Sequence, residues 1–153
     1  MLSSIISLTE KSTRPSWDEY YMSIAFIISV RSPSVKKRVG SVIVKDNRII
    51  TSGYNGFPTG MSHTSIIHDG KEINTIHAEQ NAISDAAKRG VSLNGATLYS
   101  THEPCIHCTK YIISAGITNV KYYKSSSPNP TDNVRTQLYV ESGTDITNIC
   151  QNL

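Results

Sequence analysis

The sequence predicts an α/β fold, a three-layer α/β/α sandwich around a mixed five-stranded sheet. Two β-rich runs, Val39–Lys45 and Arg48–Ser52, are separated only by Asp46-Asn47, which reads as a hairpin. Downstream, segments of helical periodicity alternate with short strand-like runs, the pattern of helices laid on a sheet. At 153 residues the chain suits one domain spanning 1–153, and folding at this length typically buries roughly 68–70% of the unfolded surface without disulfide staples.

Residues 1–14 carry no sustained pattern and read as a loosely held arm. Ser16-Trp17-Asp18-Glu19 is an S-x-x-E capping box, followed by Tyr20, Ile24, Ile27 and Ile28 at helical spacing. That helix is expected to run to about Val30, with Pro33 ending it. After the hairpin, Gly53 to Thr75 dissolves into glycines, Pro58 and polar residues, a length of irregular chain that is usually functional or mobile. Periodicity returns at Ile76, Ala78, Ala82, Ile83 and Ala86 and closes on Lys88-Arg89-Gly90, a cationic last turn with a C′ glycine. A strand follows near Ala96–Thr101, then a helix from Pro104 to about Ala115, with Pro104 in its first turn and Gly116 stopping it. A strand at Asn119–Tyr123, a helix near Asn133–Glu141 and a strand near Ile146–Ile149 complete the series.

Composition bounds the function. Hydrophobic residues make up 38% and charged residues 18%, ordinary for a globular protein in water. The balance of 15 Lys+Arg to 12 Asp+Glu gives net +3, too little for a nucleic-acid coat or a polybasic membrane binder. It leaves room for a small anionic ligand. The opening MLSSIISL makes a poor signal sequence, since serines interrupt it and no basic residue precedes it, and it is too short to span a bilayer. Three cysteines, two of them as C-x-x-C, favour metal or redox chemistry in a reducing compartment, so a cytoplasmic location is expected.

Two predicted helices begin with potential metal ligands, His77-Ala78-Glu79 and Pro104-Cys105-Ile106-His107-Cys108. Cys105 and Cys108 stand at i and i+3, on one helical face, so both sulfurs can reach one ion. Helix N-terminal amides favour their ionisation. Two thiolates and a neutral His77 neutralise Zn²⁺ and leave the fourth position of a catalytic zinc open for water. Glu79 stands beside the ligands without being needed as one, and a carboxylate there can take a proton from water and deliver it elsewhere. H-x-E paired with P-C-x-x-C is the zinc-deaminase signature. A purely structural zinc, with His107 or His102 as fourth ligand, is the alternative, and it leaves Glu79 idle. Cys150 reads as a packed thiol, and His63 and His68 as solvated or substrate-facing.

These residues are similar to those of the cytidine deaminase-like superfamily, and more narrowly the deoxycytidylate (dCMP) deaminases, from about Trp17 to Tyr123. His77-Ala78-Glu79-Gln80-Asn81-Ala82-Ile83 resembles that family's H-A-E-x-N-A-I, and Gly53-Tyr54-Asn55-Gly56-Phe57-Pro58-Thr59-Gly60 its G-Y-N-G-x-P-x-G loop. The resemblance implies hydrolysis of dCMP to dUMP and ammonia, with one zinc per subunit on His77, Cys105 and Cys108 and with Glu79 protonating ring N3 and then the departing amine. It further implies that the Ala78 backbone fixes the base edge and that Asn55 positions the nucleoside, though Asn55 beside Gly56 also fits simple support of a tight turn.

A phosphate contact falls on Lys36, with Arg38 next, unless that basic run is only a solvated face. Relatives place a tyrosine against the substrate where this chain has Ser125-Ser126-Ser127, so Tyr123 or the serine hydroxyls stand in for it. Glu103 before Pro104 is a second departure, shared with tRNA adenosine deaminases. Members are often homohexamers activated by dCTP with Mg²⁺ and inhibited by dTTP. That assigns Gly53, Tyr54, Gly56 and Gly60 to an effector site, or else to the rim of the active site. The rival readings are a deaminase of a tRNA adenine, a free nucleoside or a pterin-like ring, and a non-catalytic zinc module.

Overall fold

The computed structural model describes residues 1–10, 13–69 and 71–150. The segment expected as a loose arm begins with a seven-residue helix, α1 (Leu2–Leu8), most of whose described side chains are exposed; residues 11 and 12 of that segment lie outside the described residues. Helix α2 (Trp17–Ser29) starts where the capping box placed it, with Ser16 Oγ accepting from the Glu19 amide at 3.1 Å. Strands β1 (Gly40–Lys45) and β2 (Arg48–Tyr54) form the hairpin. Asp46 and Asn47 turn it at φ 50° and 56°, the left-handed pair that a two-residue turn requires.

Within the irregular stretch, Ile67–His68 (β3) and Lys71–Glu72 (β4) pair as a small separate ribbon, which period-2 patterning is too short to announce. Helix α3 (Ala78–Arg89) begins two residues later than the apolar series suggested. Ile76 bridges to Gly56 by two backbone bonds instead of joining the helix. Gly90 caps α3 at φ 68°. Strand β5 (Thr97–His102) leads into α4 (Ile106–Ser114). Cys105, not Pro104, flanks the first helical residue, so Pro104 sits two positions before the helix instead of in its first turn as expected. Strand β6 (Asn119–Lys124), helix α5 (Asp132–Ser142) and strand β7 (Asp145–Asn148) follow.

The sheet runs β2-β1-β5-β6-β7, antiparallel across the first three strands and parallel across the last three. Alternation along the strands feeds two cores. Val42, Val44 and Tyr99 face Tyr21, Met22 and Ala25 of α2. Ile43, Leu98 and Val120 face Ala82 and Ala86 of α3, Ile112 of α4 and Tyr139 of α5. One helix therefore covers one face and three cover the other, which is the expected sandwich. Burying each large aliphatic side chain contributes about 1.5–3 kcal/mol. No helix among the described residues is long and apolar enough to cross a membrane.

Two glycines let helices lie directly on strands. A Cβ at Gly53 would overlap the Ala78 carbonyl and approach Ala82 N at 2.6 Å, and one at Gly40 would overlap the Ala25 carbonyl. The Gly53→Ala variant is therefore expected to lose about 3 kcal/mol of stability through overpacking, read as a lowered Tm. A Tm equal to that of the unsubstituted protein would mean that α3 does not rest on β2 as described.

Candidate active site and metal cluster

The N-terminal ends of α3 and α4 meet on the face covered by three helices. His77 and Cys105 occupy equivalent positions, each extended (φ −70° and −74°) and each immediately preceding its helix. Their carbonyls accept the first helical bonds, from Asn81 N and Thr109 N, both at 2.9 Å. The His77 amide donates to Gln80 Oε1 at 3.3 Å, which holds the histidine at the helix entrance. Cys108 is one turn further along α4 and fully buried.

His77 Nδ1 lies 3.5 Å from Cys105 Sγ and 3.4 Å from Cys108 Sγ, and all three donor atoms fall within 4.8 Å of one another. Donors at roughly 2.0–2.3 Å from one tetrahedral zinc stand about 3.5–3.8 Å apart, so the two nitrogen–sulfur separations fit that ion. Among the described residues neither His102 nor His107 joins the cluster. His107 is exposed, and His102 Nδ1 is paired with Thr101 Oγ1 at 3.0 Å. This leaves three protein donors, the number of an open site.

Protonation divides unevenly over the cluster. The Cys105 thiol is brought down to about 3, first by its bond with Cys108 and then, against the cost of burial, by its bond with His77. The same contact with Cys105, and burial after it, push Cys108 well up. His77 is raised by its hydrogen bond with Cys105. Glu79, in the first turn of α3 and 3% exposed, is raised by burial. Its Oε1 accepts from Ser100 Oγ at 3.3 Å and its Oε2 from Cys108 Sγ at 3.5 Å. A buried carboxyl raised in this way, beside a metal-type donor set, is suited to moving protons.

A cavity of about 250 Å³ opens on the cluster and is bounded by Lys37, Asn55, His77, Glu79, His102 and Ser126 among others. Ala78 lines it and is fully buried. Asn55 lines it too, with both ends of its amide engaged: Oδ1 accepts from Val39 N at 2.7 Å and Nδ2 donates to Lys37 O at 2.8 Å. Asn55 thus holds the Lys37–Val39 backbone at the cavity mouth as well as facing the cavity. A larger groove of about 680 Å³, lined by Trp17, Tyr20 and Arg48, adjoins the β1–β2 turn and contains none of the cluster residues.

Other expected site residues lie elsewhere. Lys36 lines a neighbouring cavity with Ile67 and Glu72, and Arg38 Nε donates to Ser34 O at 3.4 Å. Of the basic run it is Lys37 that borders the cluster. Tyr123 packs edge-on against Phe26 at 5.2 Å, on the α2 side of the sheet, and does not line the cavity. Strand alternation carries this signal, since Val120 points into the α3–α5 core and odd-numbered neighbours point the other way. Ser126 takes the wall position. Cys150, expected in a strand and packed, is exposed and lies beyond β7.

Gly53, Tyr54 and Gly60 line a separate cavity of about 560 Å³ with Arg31 and His63. The Gly53 position is required by the seat of α3, and the Gly56 amide is already spent on Ile76 O at 3.1 Å. Arg135 carries no signal in the sequence, and the cavity-facing place of Lys37, His102 and Glu103 is set by contacts that local pattern does not announce.

His102 is held down at about 4, first by burial and then by repulsion from Lys37 and Lys124. A histidine lowered in this way contributes fully to stability above its unfolded value near 6.5, and that contribution drains away as pH falls from there towards 4. Its ring resonances are expected to stay flat in NMR titrations from pH 8 to 5. A midpoint above 6 would contradict the buried placement.

Residues 15–124 match the model of the cytidine and deoxycytidylate deaminase zinc-binding region. ComE operon protein 2 of Bacillus subtilis is 41% identical over 121 residues, covering 76% of this chain and 64% of that protein. The deoxycytidylate deaminase of Schizosaccharomyces pombe is 40% identical over 124 residues, 73% of this chain and 38% of that one. The chain therefore spans less than two thirds of the length of these two curated relatives. The crystal structure of the dCMP deaminase from cyanophage S-TIM5, in complex with dCMP and dUMP, superposes with a TM-score of 0.77 at 30% identity, covering 89% of this chain and 98% of that one. With His77, Glu79, Cys105 and Cys108 all inside the matched stretch and their side chains gathered at one cavity, the chain belongs to the cytidine and deoxycytidylate deaminase family.

Proposed function

We propose that this protein hydrolyses dCMP to dUMP and ammonia in pyrimidine deoxynucleotide metabolism. The observation that carries the reading is the buried carboxyl of Glu79, hydrogen-bonded to Cys108 and lining the same cavity as His77 and Cys105. His77, Cys105 and Cys108 would hold zinc, which when bound lowers the pKa of a water and so supplies a nucleophile at neutral pH. Glu79 takes the proton released by that water and passes it to N3 of the cytosine ring. Oxygen adds at C4, the C4–N4 bond breaks, and Glu79 delivers the second proton to the departing ammonia. Burial favours the protonated state of Glu79 that this relay passes through.

Ala78 offers backbone to the base edge, and Asn55 positions the sugar. Lys37, at the mouth of the cavity, supplies positive charge for the 5′-phosphate, with Lys36 and Arg38 adding to the field from outside. In the same reading the 560 Å³ cavity beside Tyr54 and Gly60 takes the effectors, dCTP with Mg²⁺ as activator and dTTP as inhibitor, in a homohexamer. Three free cysteines suit a reducing, cytoplasmic setting.

Ammonia release from dCMP, dCTP, deoxycytidine and tRNA is the direct test, with dCMP expected to be preferred; an equal rate on deoxycytidine would remove the phosphate contact from the proposal. Glu79→Ala is expected to lower kcat by at least about 10³-fold with one zinc retained per chain. Parallel loss of zinc would move Glu79 into the ligand set. Adding dTTP is expected to suppress turnover and dCTP with Mg²⁺ to restore it. Indifference to both nucleotides would remove the regulation and leave the chemistry standing.

A further inference from the structure

Arg135 is a nearly buried cation in the first turn of α5, and it touches neither the metal donors nor the cavity. Its Nη2 meets Glu103 Oε1 at 2.7 Å, with both side chains largely buried, and its Nη1 faces Pro104 O at 3.5 Å and Asp132 Oδ1 at 3.2 Å. The other oxygen of Glu103, Oε2, accepts the Ser126 amide at 3.0 Å, while Ser126 Oγ donates back to the Glu103 carbonyl at 3.3 Å. Glu103 is fixed in turn by β6, its amide donating to Lys124 O at 2.8 Å. A chain of contacts thus runs from α5 through one carboxylate to the loop after β6, and that loop forms the cavity wall at Ser126.

Ser126 and Arg135 both lie beyond the stretch that matches the family model, whereas Glu103 lies inside it. The contact between them thus joins the matched stretch to the residues that follow it. Glu103 bonds with none of the three metal donors, and both of its oxygens are committed, one to a cation and one to the Ser126 amide. A buried carboxylate held by a guanidinium on one side orients its second oxygen rigidly. Glu103 lines the cavity beside Ser126 with no oxygen left free, so its effect falls on the shape of that wall.

We infer that Arg135 and Glu103 are positioning residues for the substrate: the Arg135–Glu103 ion pair sets the Ser126 loop against the cavity, and so governs how tightly the nucleotide is held, not how fast its C–N bond breaks. This rests on the dCMP deaminase reading. The pair orders a wall that substrate and product meet alike, so it contributes uniform binding, which moves KM and leaves kcat in place.

The experiment measures KM and kcat for dCMP, the equilibrium Kd of dUMP, and zinc content for the unsubstituted protein, Glu103→Gln, Arg135→Met, Arg135→Lys and the Glu103→Gln/Arg135→Met double variant. KM and the dUMP Kd are expected to rise together by about ten-fold in the first two variants, with kcat held within about two-fold and zinc retained. The double variant is expected to be no worse than Arg135→Met alone, since both remove one contact, and Arg135→Lys to recover most of the loss. An unchanged KM and Kd, or a kcat that falls together with zinc content, would overturn the inference in favour of a purely structural pair. If Arg135→Met does not fold, Glu103→Gln carries the same decision, because it removes the charge and keeps the side chain. An unsubstituted protein inactive on dCMP takes the functional reading down together with this inference, whereas an active one with insensitive variants takes down the inference alone.

Discussion

The first turn of α3 rests on the backbone of β2, with no side chain between them at Gly53, and the geometry of the metal cluster depends on that seat. Polar bonds lock the approach along its length. Asn81 Nδ2 donates to Tyr54 O at 3.0 Å, Thr51 Oγ1 to Ala82 O at 2.9 Å, and Arg89 bridges Asp85 and Ile50 O at the far end. A helix held this close cannot slide along the strand without breaking several bonds at once. His77 and Glu79 at its start are therefore placed by the sheet, and the second helix has only to bring two sulfurs to meet them.

That second helix is held by the same kind of local logic. Thr109 Oγ1 donates to Cys105 O and is bonded to the Tyr139 hydroxyl, both at 3.1 Å, tying the cysteine-bearing turn to α5 from one side while Arg135 reaches Glu103 and Pro104 from the other. Within the cluster, Cys105, Cys108 and Glu79 share a buried space with one imidazole. Ionising one of these acids raises the cost of ionising the next, so their protons are held collectively. A divalent cation supplies the counter-charge that three anions cannot supply one another, and its binding releases protons as it forms.

The fold was legible because its signals are local. Ser16 with Glu19, the Asp46-Asn47 turn and Gly90 each announce an element boundary within three or four residues of chain, and each stands where the structure has it. The two metal-type motifs were legible for the same reason, since each is one turn of helix. The remainder of the site is built across distance. Glu103 and Arg135 are 32 residues apart, and neither carries any pattern that names the other. Lys37, rather than Lys36, borders the cavity, and Asn55 fixes the local backbone there from just beyond the end of β2. The side that Tyr123 takes is legible, because the alternation that buries Val120 in one core points Tyr123 at α2.

Sequence likeness and structural dependence place the end of the catalytic unit at different points. Similarity to the family model stops at Lys124, yet the carboxylate of Glu103, largely withdrawn from water, finds its only cationic partner among the described residues on α5. A polypeptide cut where the match to that model ends would expose the buried surface around Tyr139 and strip Glu103 of both groups that hold its carboxylate. Helix α5 gives none of the three metal-type donors and none of the residues bounding the cavity, yet it buttresses both through Arg135 and Tyr139. The smallest fragment that can be expected to keep the site intact is drawn by charge neutrality, not by resemblance.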